Sequence, residues 1–68
     1  MEMIPVDSEY LSAVGYENGI MLIMFNNGGL FQYNNVPDFI HRGLMNASSK
    51  GTYFHEFIKL QYPATRIG

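Results

Sequence analysis

Cysteine and tryptophan are both missing from this 68-residue chain, proline occurs three times, and only four side chains carry a fixed positive charge. Without cysteine there is no disulfide framework and no thiolate metal centre to staple a small fold. The two histidines, His41 and His55, fall short of a zinc ligand set. No long hydrophobic run is present either. The longest, "IMLIMF" at 20–25, is far below the ~20 residues that cross a bilayer. "MEMIPVDSEY" opens acidic and meets a proline at once, unlike the basic start and apolar stretch of a secretory leader. The expectation is a cytoplasmic protein with no membrane partner, no metal and no cofactor.

What the chain does contain is apolar bulk. Five Phe, five Tyr and five Met stand beside Ile, Leu and Val. Aromatic rings dominate small cores and Met fills irregular gaps. Residues 1–68 make one domain, and a chain of this length buries only about 60% of the surface its unfolded form exposes. Charge is split along the chain. Residues 1–39 hold Glu2, Asp7, Glu9, Glu17 and Asp38 with no Lys or Arg, a net −5. Residues 40–68 hold Arg42, Lys50, Lys59 and Arg66 against Glu56, a net +3. A basic face attracts anions even on a weakly acidic protein, although four cations are few for a nucleic-acid module.

The pattern of residues predicts an α+β fold: a three-stranded antiparallel β-meander followed by two α-helices packed on one face. "SEYLSAVGY" at 8–16, "IMLIMF" at 20–25 and "LFQYNN" at 30–35 read as strands. "ENG" at 17–19 and "NNGG" at 26–29 are hairpin turns, since Asn and Gly accept positive φ. After Val36-Pro37, "DFIHRGLMNA" places Phe39, Ile40, Leu44 and Met45 or Ala47 on one helical stripe. Gly43 inside that helix costs up to ~1 kcal/mol relative to Ala, which points to close packing or to a short helix. A second helix is predicted over 49–60, with Tyr53, Phe54, Phe57 and Ile58 on its stripe. The tail "QYPATRIG" shows no period. The middle strand is apolar on both faces, Ile20, Leu22 and Met24 alternating with Met21, Ile23 and Phe25. Two short helices cover only one face. Residues 1–6 and 60–67 are expected to shield part of the other. The alternative is an exposed apolar face around Met21, Ile23 and Phe25 that meets a protein partner or a second copy of the chain.

"VGY" at 14–16, "FQYNNVP" at 31–37 and "ASSKGTYF" at 47–54, with Ile58 and Tyr62, resemble the KTSC domain family. That family takes its name from the C-terminus of certain lysyl-tRNA synthetases and also occurs as small stand-alone bacterial and phage proteins. The resemblance runs over roughly residues 7–66. At the family's tyrosine-x-tyrosine followed by Val-Pro, this chain has Phe31, Tyr33, Val36 and Pro37. Its Ala-x-Ser-x-Gly stretch falls on Ala47, Ser49 and Gly51, with Lys50 between the last two, and Phe54-His55 stands where members often carry Phe-Asn. Phe31 lacks the hydroxyl of the family's first tyrosine. The synthetase fusion implies RNA as a partner without establishing it.

Phe31 and Tyr33 lie two apart on a strand and share one face. Their rings either pack as core beneath the helices or stack on unpaired bases, and Tyr33 can do both with a buried ring and a hydroxyl at the rim. A serine of "NASSKGTYF" is expected to cap the second helix. The free N–H groups of that helix start, with Lys50 and Gly51 beside Ser49, make it a candidate contact for a phosphate. A Walker-type loop is excluded, because Lys precedes Gly and the glycine run is too short. For Ser49 to act as a nucleophile it needs a histidine and an acid in contact, which the spacing does not suggest. No enzyme is expected. The reading is an accessory binding module for RNA or another phosphate-bearing ligand, with Tyr33, Arg42, Ser49, Lys50, Gly51, His55, Lys59 and Arg66 as candidate contacts. A protein-interaction or self-association module is the alternative.

Overall fold

A computed structural model of the chain describes all of residues 1–68. The order of elements is β1 (Ile4–Pro5), β2 (Leu11–Glu17), β3 (Ile20–Phe25), β4 (Leu30–Tyr33), α1 (Asp38–Asn46), α2 (Lys50–Phe57) and β5 (Ala64–Arg66). All five strands pair antiparallel in the order β1-β2-β3-β4-β5. The α+β class and the central meander are therefore as read from the sequence, but the sheet has five strands and not three.

The two hairpins form where turn residues demand them. Between β2 and β3, Asn18 and Gly19 both take positive φ, 51° and 82°. That pair of left-handed residues is what a tight two-residue hairpin requires. Between β3 and β4 the four-residue loop turns on Gly28 at φ 96°, and the Asn27 side chain accepts from the Gly29 N–H at 3.0 Å.

The added strands occupy the edges and are tied by backbone bonds rather than by buried side chains. Ile4 and Pro5 pair with Val14 and Ala13. A proline is tolerated there because an edge strand leaves N–H positions unused. Phe31, Gln32 and Tyr33 pair with Arg66, Thr65 and Ala64, and Ile67 and Gly68 continue the ladder with Leu30. All three β5 residues are exposed.

The helices cover one face of the sheet. Beneath them lie Leu11, Val14, Met21, Ile23, Tyr33, Val36, Ile40, Leu44, Phe54 and Ile58, all buried. On α1 the buried pair Ile40–Leu44 is four apart, one above the other, and α2 buries Phe54 with Ile58 at its C-cap. The stripes are narrower than expected, since Phe39 is 62% and Phe57 46% exposed. Gly43 sits where the helices touch: a Cβ there would lie 2.6 Å from the Tyr53 Cζ. Tyr53 in turn donates its hydroxyl to the Ile40 carbonyl at 3.1 Å. The junction after β4 is anchored by the Tyr16 hydroxyl, which donates to the Val36 carbonyl at 2.6 Å. The Tyr16 ring stacks on His41, centroids 4.4 Å apart and 5° from parallel. Burial lowers the His41 pKa, against the opposing pull of Asp38.

The face named as a possible interface is corrected by this arrangement. Met21 and Ile23 are fully buried under the helices and Phe25 packs beside them, so that face is the core. The face away from the helices carries Ile20, Leu22, Met24 and Leu30, all half-buried, with Ile67 48% exposed. Residues 1–3 shield part of it: a Cβ on Gly15 would meet the Met3 sulfur at 2.7 Å and the Met1 sulfur at 3.1 Å. No helix is long and apolar enough to cross a membrane.

Candidate functional site

Ser49 caps α2: its Oγ accepts from the Thr52 N–H at 3.3 Å and donates to the Thr52 Oγ1 at 2.8 Å. Serine suits this position because its oxygen satisfies one of the orphan donors of the first turn. The residues beside it are engaged as well. The Lys50 Nζ donates to the Ala47 carbonyl at 2.9 Å, tying α2 to the end of α1, and the His55 Nδ1 lies 2.9 Å from the Gly51 carbonyl. A serine–histidine pair is not formed. Across from this helix start runs the segment before β2, and between them lies an open groove of about 780 Å³. Asp7, Glu9 and Glu56 line the groove together with Lys50. Three carboxylates against one ammonium oppose an anion, and this balance offsets the attraction of the helix start.

The second hollow differs in character. Glu9 and Tyr10 separate it from the groove, and it encloses about 460 Å³ among Tyr10, Phe25, Phe31, Tyr33 and Phe54. These residues converge for reasons that can be traced in the strands. Phe25 and Phe31 close the hairpin on its helix-covered face, diagonal to one another, and meet edge to face at 5.6 Å and 80°. Tyr33 follows two residues later on the same face. Phe54 enters from α2 and meets Phe25 at 5.3 Å and Tyr33 at 5.7 Å, both edge to face. Tyr10 stands at the mouth, 5.6 Å from Phe25. Edge-to-face contacts of this kind are favourable beyond area burial, so the rings hold one another in place.

Tyr33 is 4% exposed, and its hydroxyl bonds no group of the protein. Burial, with a smaller contribution from Tyr10, pushes its pKa up to about 12. The folded state therefore holds this proton more tightly than the unfolded one, whose tyrosines titrate near 10. The resulting stability is present below pH ~10 and is lost as pH rises toward 12. An alkaline titration followed at 295 nm should end in a late step that Tyr33→Phe lacks. A titration that is superimposable in the two proteins would show that the Tyr33 hydroxyl meets water freely.

The basic side chains do not gather in one place. Lys59 lines the aromatic recess, and the Arg66 guanidinium lies 5.8 Å from the centroid of the Phe31 ring. Lys50, Ser49, Gly51 and His55 line the neighbouring groove. Arg42 is on α1, paired with Asp38 at 2.7 Å one turn away. No three His, Asp or Glu side chains converge as metal donors would. Of the sequence-derived contacts, Tyr33, Lys59 and Arg66 come together. Tyr10, Phe25 and Phe54, which complete the recess, are not among those candidate contacts, and the sequence places Phe25 on a partner-binding face instead. The signal was present in the hairpin, where Phe25 and Phe31 flank "NNGG" and must land on the same face.

The crystal structure of a KTSC domain protein from Yersinia pestis superposes with a TM-score of 0.95 at 35% identity, covering 98% of this chain and 97% of that one. An uncharacterized protein of Stutzerimonas stutzeri is 31% identical over 64 residues, covering 91% of this chain and 90% of its own length. A lysine–tRNA ligase of Nostoc is 36% identical over 58 residues, 82% of this chain, and the match spans 10% of the ligase. The family model described as the KTSC domain matches residues 7–62, from the segment before β2 to the end of the helical region, and the chain belongs to that family.

Proposed function

We propose that this domain is a non-catalytic binding module for RNA or a similar phosphate-bearing strand, with the aromatic recess as its centre. The convergence of Tyr10, Phe25, Phe31, Tyr33 and Phe54 beside Lys59 and Arg66 carries this reading. Rings stack on unpaired bases and cations meet phosphates, which together describe a single-strand site. The match to part of a protein named lysine–tRNA ligase supports it, since that name makes tRNA a ligand of the larger protein.

Fluorescence anisotropy with a labelled tRNA and an unstructured oligoribonucleotide at low salt tests the proposal. Weak binding is expected. With two cations near the recess, the dependence of log affinity on log salt should have a slope of about −1.4. Absence of binding at about 100 µM, the weak end of non-specific affinity, would sink the reading. Self-association is a second reading, favoured by the half-buried apolar face of Ile20, Leu22, Met24 and Leu30. Sedimentation velocity giving only monomer removes it.

A further inference from the structure

We infer that the aromatic recess is a nucleotide site, taking one unstacked base among the rings with its phosphate on Lys59. This rests on the binding role proposed above and narrows it to one ligand unit. Three independent features of the recess converge on such a ligand. Its volume of about 460 Å³ falls within the ~300–1,000 Å³ of small-ligand sites. In its wall the partly exposed rings of Tyr10, Phe25 and Phe31 stand over the buried rings of Phe54 and Tyr33, so a planar group meets the first three.

The second feature is the Tyr33 hydroxyl. Tyr33 is 4% exposed, lines the recess, and has no hydrogen-bond partner within the protein. No buried polar side-chain atom of the protein lacks a partner, so this hydroxyl opens to the recess, where water bonds it until a ligand takes that place. A purely apolar ligand would leave it unpaired, whereas the edge of a base supplies ring nitrogens and carbonyl oxygens that accept its proton. The third feature is the rim. Lys59 is exposed and in no ion pair, since the only two pairs in the structure are Met1–Glu17 and Arg42–Asp38. Glu9, which also lines the recess, is likewise unpaired and can accept from an exocyclic amino group. Flat ring, hydrogen-bonding edge and adjacent anion are the three parts of a nucleotide. A base within a duplex has its edge occupied and its faces stacked, so a paired strand cannot fill the recess.

The same chemistry is carried by a free nucleotide and by the unpaired end or loop of a strand, and two arms separate them. In the first, AMP, CMP, adenosine and ribose 5-phosphate are titrated into 15N-labelled protein. AMP or CMP is expected to shift amides around Phe31, Tyr33 and Tyr10. Adenosine should shift the same amides more weakly, and ribose 5-phosphate hardly at all. Tyr33→Phe should weaken nucleotide binding roughly three- to tenfold, the loss of one hydrogen bond. Lys59→Gln should weaken AMP and leave adenosine unchanged. Circular dichroism confirms that both variants are folded. In the second arm, a single-stranded oligoribonucleotide and its blunt duplex are compared by anisotropy, and the single strand should bind tighter.

Shifts confined to the groove at Ser49–Glu56, or none with up to about 10 mM nucleotide, a level above any specific affinity, would overturn the inference. So would strand binding that both variants leave untouched, although the RNA-binding role would then stand. Nucleotide binding in the recess with no strand binding in either form would instead retain the nucleotide site and remove the RNA role.

Discussion

Phe54→Ala should lose about 3–5 kcal/mol of stability and lower Tm by at least about 12 °C. Phe54 is the one helix residue whose ring meets the aromatic rings of three separate chain segments. It lies 5.3 Å from Phe25 on β3, 5.7 Å from Tyr33 on β4 and 6.2 Å from Tyr10 ahead of β2. It is 2% exposed. Truncation removes its transfer free energy and leaves a cavity among rings that support one another edge to face and so collapse poorly. A domain of 68 residues has only roughly 3–10 kcal/mol to lose. The variant is therefore expected to be substantially unfolded at 37 °C.

Phe57→Ala is the matched control. Phe57 is 46% exposed and meets only the Tyr53 ring, at 4.8 Å. Its loss should be about 1 kcal/mol or less, typical of a partly exposed position. Urea unfolding followed by circular dichroism measures both. Equal losses would mean that the aromatic cluster under α2 does not hold the sheet to the helix.

The contrast between Phe54 and Phe57 also shows what the sequence could and could not convey. Hairpins were legible because Asn18, Gly19 and Gly28 are required by the backbone and not by packing. The helix after Pro37 and the serine cap at 49 were legible for the same local reason. The faces were harder. Leu11 and Val14 are both buried although three residues apart, because a bulge between Leu11 and Ala13 inserts one residue and restores the inward face. A strict period of two fails across such a bulge. For β3 the alternation was correct, but nothing in "IMLIMF" says which set of three faces the helices. That choice is fixed by Tyr16, Phe31 and Tyr33 on the neighbouring strands. The strands β1 and β5 were invisible because they are held by backbone bonds at the edges and bury almost nothing. The candidate contacts divided in the same way. Tyr33 with Lys59 and Arg66 met in space, while Lys50 bonds the end of α1 and Ser49 caps α2.

Gly43→Ala is expected to change sign with its background. In the interior of a helix this substitution alone stabilises by up to ~1 kcal/mol. Here the new Cβ would stand 2.6 Å from the Tyr53 Cζ, so the ring must move. Moving it breaks the bond from its hydroxyl to the Ile40 carbonyl, worth about 0.5–1.5 kcal/mol, and strains the contact between α1 and α2. Overpacking of this kind costs about 1–3 kcal/mol, which outweighs the helix gain. The single variant should therefore be destabilised by about 1–2 kcal/mol, seen as a lower urea midpoint at unchanged slope. Tyr53→Ala removes the obstacle at a cost of its own. In that background Gly43→Ala should stabilise, because only the helix preference remains. The reversal is a coupling between two residues in contact, and the double-mutant cycle measures it directly. Stabilisation in both backgrounds would show that the Tyr53 ring swings aside freely. The glycine would then be a relic of helix geometry with no part in setting how closely the helices approach.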